Sequence, residues 1–171
     1  MRGLGVLVAL LAACGPTSGG VRGPAAPLAA NGTAAVTVSE AAPTVTLAVI
    51  PVEPEGHPGL ISLINQAMRS VVLPGVDRTI VSPIPLETAQ LAVECVDATT
   101  DCYYAVGKSL AASRLLFGKI LASKKGFKVR LTLFDVEKRA ELRTIERPYA
   151  NDHDAEAQLD ETFAELVEAA R

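Results

Sequence analysis

Apolar positions along residues 44–171 follow two periods, and each change of period predicts a new element of the fold. The segment "TVTLAVIPV" at residues 44–52 is rich in β-branched residues and is bounded by prolines, which is typical of a buried strand. The next apolar positions recur at helical spacing and lie on one face: Leu60, Leu63, Ile64, Ala67, Met68 and Val71. "RTIVSP" then predicts a second short strand, and residues 86–93 and 102–111 predict two short helices.

The remainder of the chain predicts a meander of strands and a closing helix. The segments "RLLFGKILA", "FKVRLTLFDV" and "ELRTIERPY" are separated by "SKKG" and "EKRA", which are short enough for hairpin turns. Asn151 or Asp152 would cap a final helix, whose apolar face carries Leu159, Phe163, Leu166, Val167 and Ala170. The order β-α-β-α-α-β-β-β-α predicts an α/β fold of the mixed α+β kind. In it, helices pack on one mixed sheet that is parallel at first and antiparallel later.

The amino terminus has the pattern of an export signal that ends in a cysteine. Arg2 is followed by an apolar run to Ala13, whose length of about 16 Å as a helix is half of a bilayer core. Such a run predicts a signal peptide over residues 1–13. Its end, "LAAC", resembles the lipobox of bacterial lipoproteins, which implies cleavage before Cys14 and acylation of that cysteine. Gly15 stands where an aspartate would imply retention at the inner membrane, so the resemblance implies the periplasmic face of the outer membrane.

Residues 14–43 are predicted to be a lipidated cysteine followed by a flexible tether. From residue 15 onward they are rich in Gly, Pro, Ala, Ser and Thr, and their only charges are Arg22 and Glu40. Because no apolar period persists, the segment cannot bury enough surface to offset the cost of ordering it. We therefore predict one folded domain, at residues 44–171, on a tether with a typical span of about 30 Å.

Three cysteines divide into one lipidation site and one pair. Once Cys14 is acylated, Cys95 and Cys102 remain, and in an oxidising periplasm a structural disulfide is the simplest pairing for them. Free thiols and a reactive or metal-binding pair are the alternatives. A metal site would need more ligands than this pair supplies, and no cluster of Cys or His accompanies it in the sequence. We predict no metal and no cofactor.

Other chemical motifs are weak. "GKS" at residues 107–109 resembles the end of a phosphate-binding loop, but Cys102 stands where that loop needs a glycine. We instead expect Gly107 to allow close helix packing. His57 and His153 are isolated in sequence and are interpreted as surface residues. No arrangement of a nucleophile with a neighbouring base stands out, and the chain is predicted not to be an enzyme.

Charge is unevenly distributed although the chain as a whole carries a net charge of only −3. Residues 113–147 hold ten lysines and arginines against four acids, whereas residues 150–171 hold one arginine against seven acids. One interpretation is that two solvated faces compensate each other. The other is a basic hairpin surface, comprising Lys124, Lys125, Lys128 and Arg130, that binds an acidic partner or a phosphate-bearing lipid. An exported chain with a net charge of −3 is not expected to bind nucleic acid.

Two segments carry a family resemblance. "CYYAVGKSLAASRLLFGKI" and "LTLFDVEKRAEL" resemble the helix, strands and acidic turn of TolB amino-terminal-like domains, and the resemblance extends over residues 44–171. Related folds occur in the curli secretion lipoprotein and in the outer-membrane lipoprotein that activates a peptidoglycan synthase. The resemblance implies a domain that binds proteins or assembles.

The sequence thus predicts a binding or scaffolding protein that is held on the outer membrane by lipid and contacts a protein of the cell envelope. Activation of a peptidoglycan synthase and membership of an oligomeric outer-membrane secretion assembly are two specific forms of this role. A hydrolase or transferase with a dispersed site is the alternative from another class.

Overall fold

A computed structural model describes residues 44–53, 56–168 and 170. The predicted signal peptide, Cys14 and the tether lie outside these residues. The elements, in chain order, are β1 (Thr46–Ile50), α1 (Pro58–Ser70), β2 (Arg78–Val81), α2 (Leu86–Ala92), α3 (Thr100–Ser109), β3 (Arg114–Ser123), β4 (Gly126–Asp135), β5 (Ala140–Tyr149) and α4 (Asp152–Glu168). This order confirms the predicted mixed α+β fold.

The strands form one five-stranded sheet in the described part of the chain, in the order β2-β1-β3-β4-β5. β1 pairs in parallel with both β2 and β3, because a helix separates each of these strands from the next one along the chain. β3, β4 and β5 pair antiparallel through short turns, as the hairpin prediction required. A bulge between Leu133 and Phe134 shifts the register of the last pair.

Helices cover both faces of the sheet and create two separate cores. On one face, α1 and α4 pack over alternate residues of the central strands, among them Leu47, Leu116, Leu131 and Ile145. On the other face, α2 and α3 cover a smaller core that includes Ile50, Leu115, Phe117 and Phe134. This difference arises because α2 and α3, with 7 and 10 residues, rise only about 1.5 Å per residue. β3, β4 and β5 have 10 residues each and, at about 3.3 Å per residue, are about twice as long as either helix or longer.

Local sequence explains where several elements begin and turn. Pro58 occupies the first turn of α1, where its missing N–H costs no hydrogen bond. Asn151 accepts a hydrogen bond from the backbone N–H of Asp154 at 2.9 Å, so it caps α4 as predicted. Gly126 follows the β3–β4 turn with φ of +121°, and a Cβ there would lie 2.8 Å from the carbonyl oxygen of Ala150. Only glycine is compatible with this turn.

Candidate functional site

Part of one sheet face is left open by the short helices α2 and α3, and this open sheet face is the candidate site. Cross-strand pairing arranges its side chains in rows across β3, β4 and β5, and each successive row lies farther from the core. The row nearest the helices is Phe117, Thr132 and Thr144, and the next is Lys119, Arg130 and Glu146. Lys128 lies two residues before Arg130 on β4, so it is on the same face and forms part of the third row. The face therefore changes within three rows from aromatic to charged.

A polar cleft of about 160 Å³ lies where this face meets α3. Its lining comes from α3, three strands and the loop between α2 and α3: Ala98, Tyr103, Phe117, Lys119, Arg130, Thr132, Glu141 and Thr144. The cleft thus contains hydroxyl groups and charges of both signs.

Tyr103 forms the inner wall of the cleft. Its ring packs against Phe117, with centroids 4.9 Å apart, and against Phe134 at 5.4 Å, so the ring position is fixed by the core. Among the described residues, its hydroxyl has no hydrogen-bond partner. Burial raises the pKa of the Tyr103 phenol, which Lys119 opposes and Glu141 reinforces. The phenol is a neutral hydroxyl that is available to an incoming group.

The charged side chains of the open sheet face are held in place by ion pairs. Glu146 accepts a hydrogen bond from Lys128 Nζ at 2.7 Å and another from Arg130 Nε at 2.9 Å. These two cations, Lys128 first, lower the pKa of the Glu146 carboxyl. Lys119 donates to Glu87 of α2 at 3.0 Å. Hydrogen bonding to Glu53 and then to Lys119 lowers the pKa of Glu87. The side chains therefore present a defined pattern of charge.

The predicted basic hairpin surface is divided by the fold. Lys128 and Arg130 lie together on the open sheet face and share the carboxylate of Glu146. Lys124 and Lys125 lie in the exposed turn between β3 and β4. Because one acid balances two strand cations, this face is less basic than the count of charges along residues 113–147 indicates.

Other cations of the basic segment compensate the acidic helix instead. Arg143 pairs with Glu165 of α4 at 2.7 Å, and Arg147 pairs with Glu165 at 2.8 Å and with Glu161 at 3.5 Å. These pairs lie on the opposite face from Arg130, because residues 143 and 147 alternate with Glu146 along β5. Between β5 and α4, the basic and acidic faces therefore compensate each other, which is the first of the two interpretations of the charge pattern.

The cysteine pair borders the cleft. Cys95 and Cys102 form a disulfide with a Cα–Cα distance of 5.7 Å, and the loop that it closes carries Ala98 at the cleft wall. Gln90 of α2 donates a hydrogen bond to Cys102 Sγ at 3.4 Å. The bridge joins the end of α2 to the start of α3 and fixes the loop beside the open sheet face.

The remaining candidate residues do not enter the cleft. His57 Nδ1 lies 2.8 Å from the carboxylate of Asp152, and its ring lies against Phe127, so it connects the start of α1 to the start of α4. His153 is exposed on α4. Gly107 is buried inside α3, where a Cβ would come within 2.8 Å of Val136 Cγ1. The prediction that Gly107 serves close helix packing is confirmed.

Several residues of the open sheet face and its cleft were not predicted from the sequence: Tyr103, Lys119, Glu141, Thr144 and Glu146. Tyr103 lies on α3, and the common signal of the other four is alternation along β3 and β5, which assigns each residue to a face. The two features that bring them together, register across three strands and the bulge before Phe134, are properties of the pairing.

The described residues contain no candidate membrane span and no candidate metal site. The helices within them are too short or too polar to cross a bilayer. Residues 44–53, 56–168 and 170 bring no three His, Cys, Asp or Glu side chains together in a way that could hold a metal ion.

Comparison with known proteins gives distant structural similarities. No protein-family model matches the chain, and no curated protein matches it. The LpoB C-terminal domain from Salmonella enterica is 12% identical, over 60% of this chain and 80% of its own, with a TM-score of 0.40. TolB from Acinetobacter baumannii is 17% identical, over 72% of this chain and 28% of its own, with a TM-score of 0.42.

A third similar structure is the hypothetical protein CT253 from Chlamydia trachomatis. It is 13% identical, over 73% of this chain and 94% of its own, with a TM-score of 0.41. The solved structures that resemble this chain thus include TolB and LpoB, which belong to the fold group that the sequence resemblance named. Scores of this size describe a likeness of fold, and no functional role is assigned from them.

Proposed function

We propose that this protein is a lipid-anchored protein of the cell envelope whose folded domain binds a partner protein through the open sheet face. The observation that carries the proposal is the row Lys119, Arg130 and Glu146. It lies on the part of β3, β4 and β5 that α2 and α3 leave open, and ion pairs already hold its side chains in position. Because these side chains are already ordered before a partner binds, little further conformational entropy is lost on binding.

The size and chemistry of the cleft favour a protein ligand over a small molecule. Sites for small ligands enclose about 300–1,000 Å³ and are mostly apolar. The cleft beside Tyr103 has a volume of about 160 Å³ and is lined by charges of both signs. This space suits one polar side chain of a partner, and the alternating charges around it would select a partner with the complementary pattern.

The lipid anchor is the second part of the proposal. "LAAC" supports acylation of Cys14, and the composition of residues 15–43 supports a tether that gives the domain reach from the periplasmic face of the outer membrane. Intact-mass measurement of the protein from a bacterial envelope tests this part. We expect a chain that begins at Cys14 and carries acyl groups, and a Cys14→Ser variant that carries none. A mature chain without added acyl mass would refute the anchor and leave the surface proposal standing.

Site-specific crosslinking in cells tests the surface. A photo-crosslinking residue at Thr144, which is exposed at the cleft, should capture an envelope protein, whereas one at Ala157, which is exposed on α4, should not. Capture should be lost when the charges of the row are exchanged in an Arg130→Glu/Glu146→Arg double variant. The matched control is Arg143→Glu/Glu165→Arg, which exchanges an ion pair on the other face. Equal capture by both double variants would refute the proposal.

The identity of the captured protein separates the specific roles. A peptidoglycan synthase would indicate an activator, and further copies of this chain would indicate a subunit of an oligomeric outer-membrane assembly. The Tyr103→Phe variant tests the alternative of a hydrolase or transferase. If that alternative holds, the variant should lose turnover of a substrate while any crosslinked protein is still captured.

A further inference from the structure

A groove between α1 and α4 lies on the sheet face opposite the cleft. It consists of two cavities, of about 320 and 310 Å³, which share Ala67, Ser70 and Asp160 and are therefore continuous. The other lining residues are Leu63, Gln66, Val71, Val72, Glu156, Leu159, Phe163, Ala164 and Val167. The groove follows the line along which the two helices pack.

The floor of this α1–α4 groove is apolar. Leu159 and Phe163 are 5% and 7% exposed, and Leu63, Ala67 and Val167 are partly buried against the core. Val72, at the carboxyl end of α1, is 83% exposed beside this floor. An apolar groove that ends in an exposed valine leaves apolar surface in contact with water. Covering that surface with an apolar ligand is favourable in free energy.

The dimensions of the groove match one short helix. Its lining on α4 runs from Glu156 to Val167, which spans about 16 Å at 1.5 Å per residue. That length equals about three helical turns. A helix of three turns presents three or four apolar side chains on one face, and recognition of this kind is used repeatedly in proteins.

The rim of the groove is charged on one side only. Glu156 and Asp160 stand along α4, and neither forms an ion pair with a described residue. Arg143 and Arg147 are not available to neutralise them, since they pair with Glu165 and Glu161.

The opposite rim, on α1, consists of Gln66 and Ser70 and is neutral. Arg69 lies beyond this rim, in an adjoining polar cavity that shares Gln66 and Ser70 with the groove, and it does not line the groove itself. An acidic edge beside an apolar floor disfavours an anionic membrane surface and favours a basic ligand.

We propose that the α1–α4 groove binds an amphipathic helix of a partner protein, with lysines or arginines along the edge that faces Glu156 and Asp160. The apolar side of that helix would cover Leu63, Ala67 and Phe163. The groove and the open sheet face lie on opposite faces of the sheet, so the two sites can be occupied together. This proposal does not depend on the one made for the open sheet face.

Peptide binding to the full-length chain in detergent tests the groove. Two 18-residue helical peptides are used, with leucines at i, i+3, i+4 and i+7 spacing, and with either lysines or glutamates along one edge. We expect the lysine peptide to bind at least tenfold more tightly than the glutamate peptide in fluorescence anisotropy. Asp160→Lys should reduce or reverse this preference, whereas Asp97→Lys, the same charge change in the exposed α2–α3 loop, should preserve it.

A steric variant separates the groove from a general attraction to acidic protein. Ala164→Gln places a longer neutral side chain at the exposed rim and should weaken the lysine peptide at least fivefold, whereas Ala157→Gln, elsewhere on α4, should not. Equal effects of the groove and control variants would overturn the proposal. So would a dimer of the chain that Ala164→Gln dissociates in sedimentation, because the groove would then bind a second copy.

Discussion

Tyr149 and Thr162 join β5 to α4 through a hydrogen bond of 2.8 Å between their hydroxyl oxygens. Both side chains are buried, with exposures of 2% and 0%. Thr162 Oγ1 also donates to the backbone carbonyl of Gln158 at 3.1 Å, so in this network it accepts the hydrogen of Tyr149. The two partners therefore depend on each other unequally: the threonine hydroxyl has a second partner, and the tyrosine hydroxyl has none among the described residues.

This asymmetry predicts that removal of the threonine hydroxyl costs more than removal of the tyrosine hydroxyl. Tyr149→Phe should lower the free energy of unfolding by about 1 kcal/mol, the usual value of one hydrogen bond. Thr162→Val should lower it by about 2–3 kcal/mol, since it leaves a buried phenol hydroxyl without a partner. Urea unfolding followed by circular dichroism measures both values.

The double variant provides the control for this pair. Tyr149→Phe/Thr162→Val leaves no buried hydroxyl unpaired, so its loss should be smaller than the sum of the two single losses. Simple additivity would contradict the assignment of the tyrosine as a donor to the threonine.

Gly107 and Val136 support a second prediction, on the packing of α3 against the β4–β5 turn. Gly107→Ala should destabilise the protein by about 1–3 kcal/mol, because its Cβ would lie 2.8 Å from Val136 Cγ1 and one of the two residues must move. Thermal unfolding measures the loss, and Val136→Ala in the same chain should restore part of it.

Gly59 is the matched control for this substitution. It lies in the first turn of α1, and apart from its chain neighbours and the backbone of the helix itself, no atom of the described residues stands within 4 Å of the position that a Cβ would occupy. Gly59→Ala should therefore be neutral or stabilise the protein by up to about 1 kcal/mol, through the higher helix propensity of alanine. Equal losses at Gly59 and Gly107 would show that close contact with Val136 is not the cause.

The sequence was sufficient to predict the elements and their pairing, because each element has one dominant apolar period. The spacing from Leu60 to Val71 predicts α1, and the turns "SKKG" and "EKRA" predict the meander of β3, β4 and β5. α3 was predicted over residues 102–111, so its start was placed two residues late: the helix begins at Thr100. In the structure Thr99 is the cap and accepts a hydrogen bond from the N–H of Cys102 at 3.3 Å, a choice among adjacent Thr residues that pattern alone does not make.

The candidate site was less predictable, because it depends on relations between strands. Lys128 and Arg130 were identified as cations, but the carboxylate of Glu146 that binds them is 16 residues beyond Arg130 and reaches it only through register. Tyr103 was interpreted as part of a helix motif, and its place at the cleft follows from the packing of its ring against Phe117 and Phe134 of the sheet. The cleft therefore depends on how separate elements pack together, which the pattern along any one segment does not show.

Disulfide loss gives a third prediction, which connects stability with the shape of the cleft. Cys95→Ala/Cys102→Ala should lower the free energy of unfolding by about 2.5 kcal/mol, the entropic cost of the short loop that the bridge closes. The α2–α3 loop should also exchange its amide hydrogens faster, since Ala98 would no longer be held at the cleft wall. An oxidised wild type and the double variant with the same urea midpoint would contradict this prediction.

Glu165 gives a prediction for the dependence of stability on pH. Hydrogen bonds from Arg147 and then from Arg143 lower the pKa of the Glu165 carboxyl below its ordinary value of 4.5. A depressed pKa in the folded state stabilises the fold above the unfolded value, and this contribution is lost as the pH falls through the folded value. Unfolding free energy should therefore decline on acidification from about pH 5 to about pH 3. The decline should be shallower in Glu165→Gln, which has no carboxylate to protonate. Glu168→Gln, at an exposed residue of the same helix, should retain the wild-type slope. If all three proteins lose stability equally over this range, the ion pairs of Glu165 with β5 contribute nothing to the fold, and the compensation between the basic strands and the acidic helix is one of net charge alone.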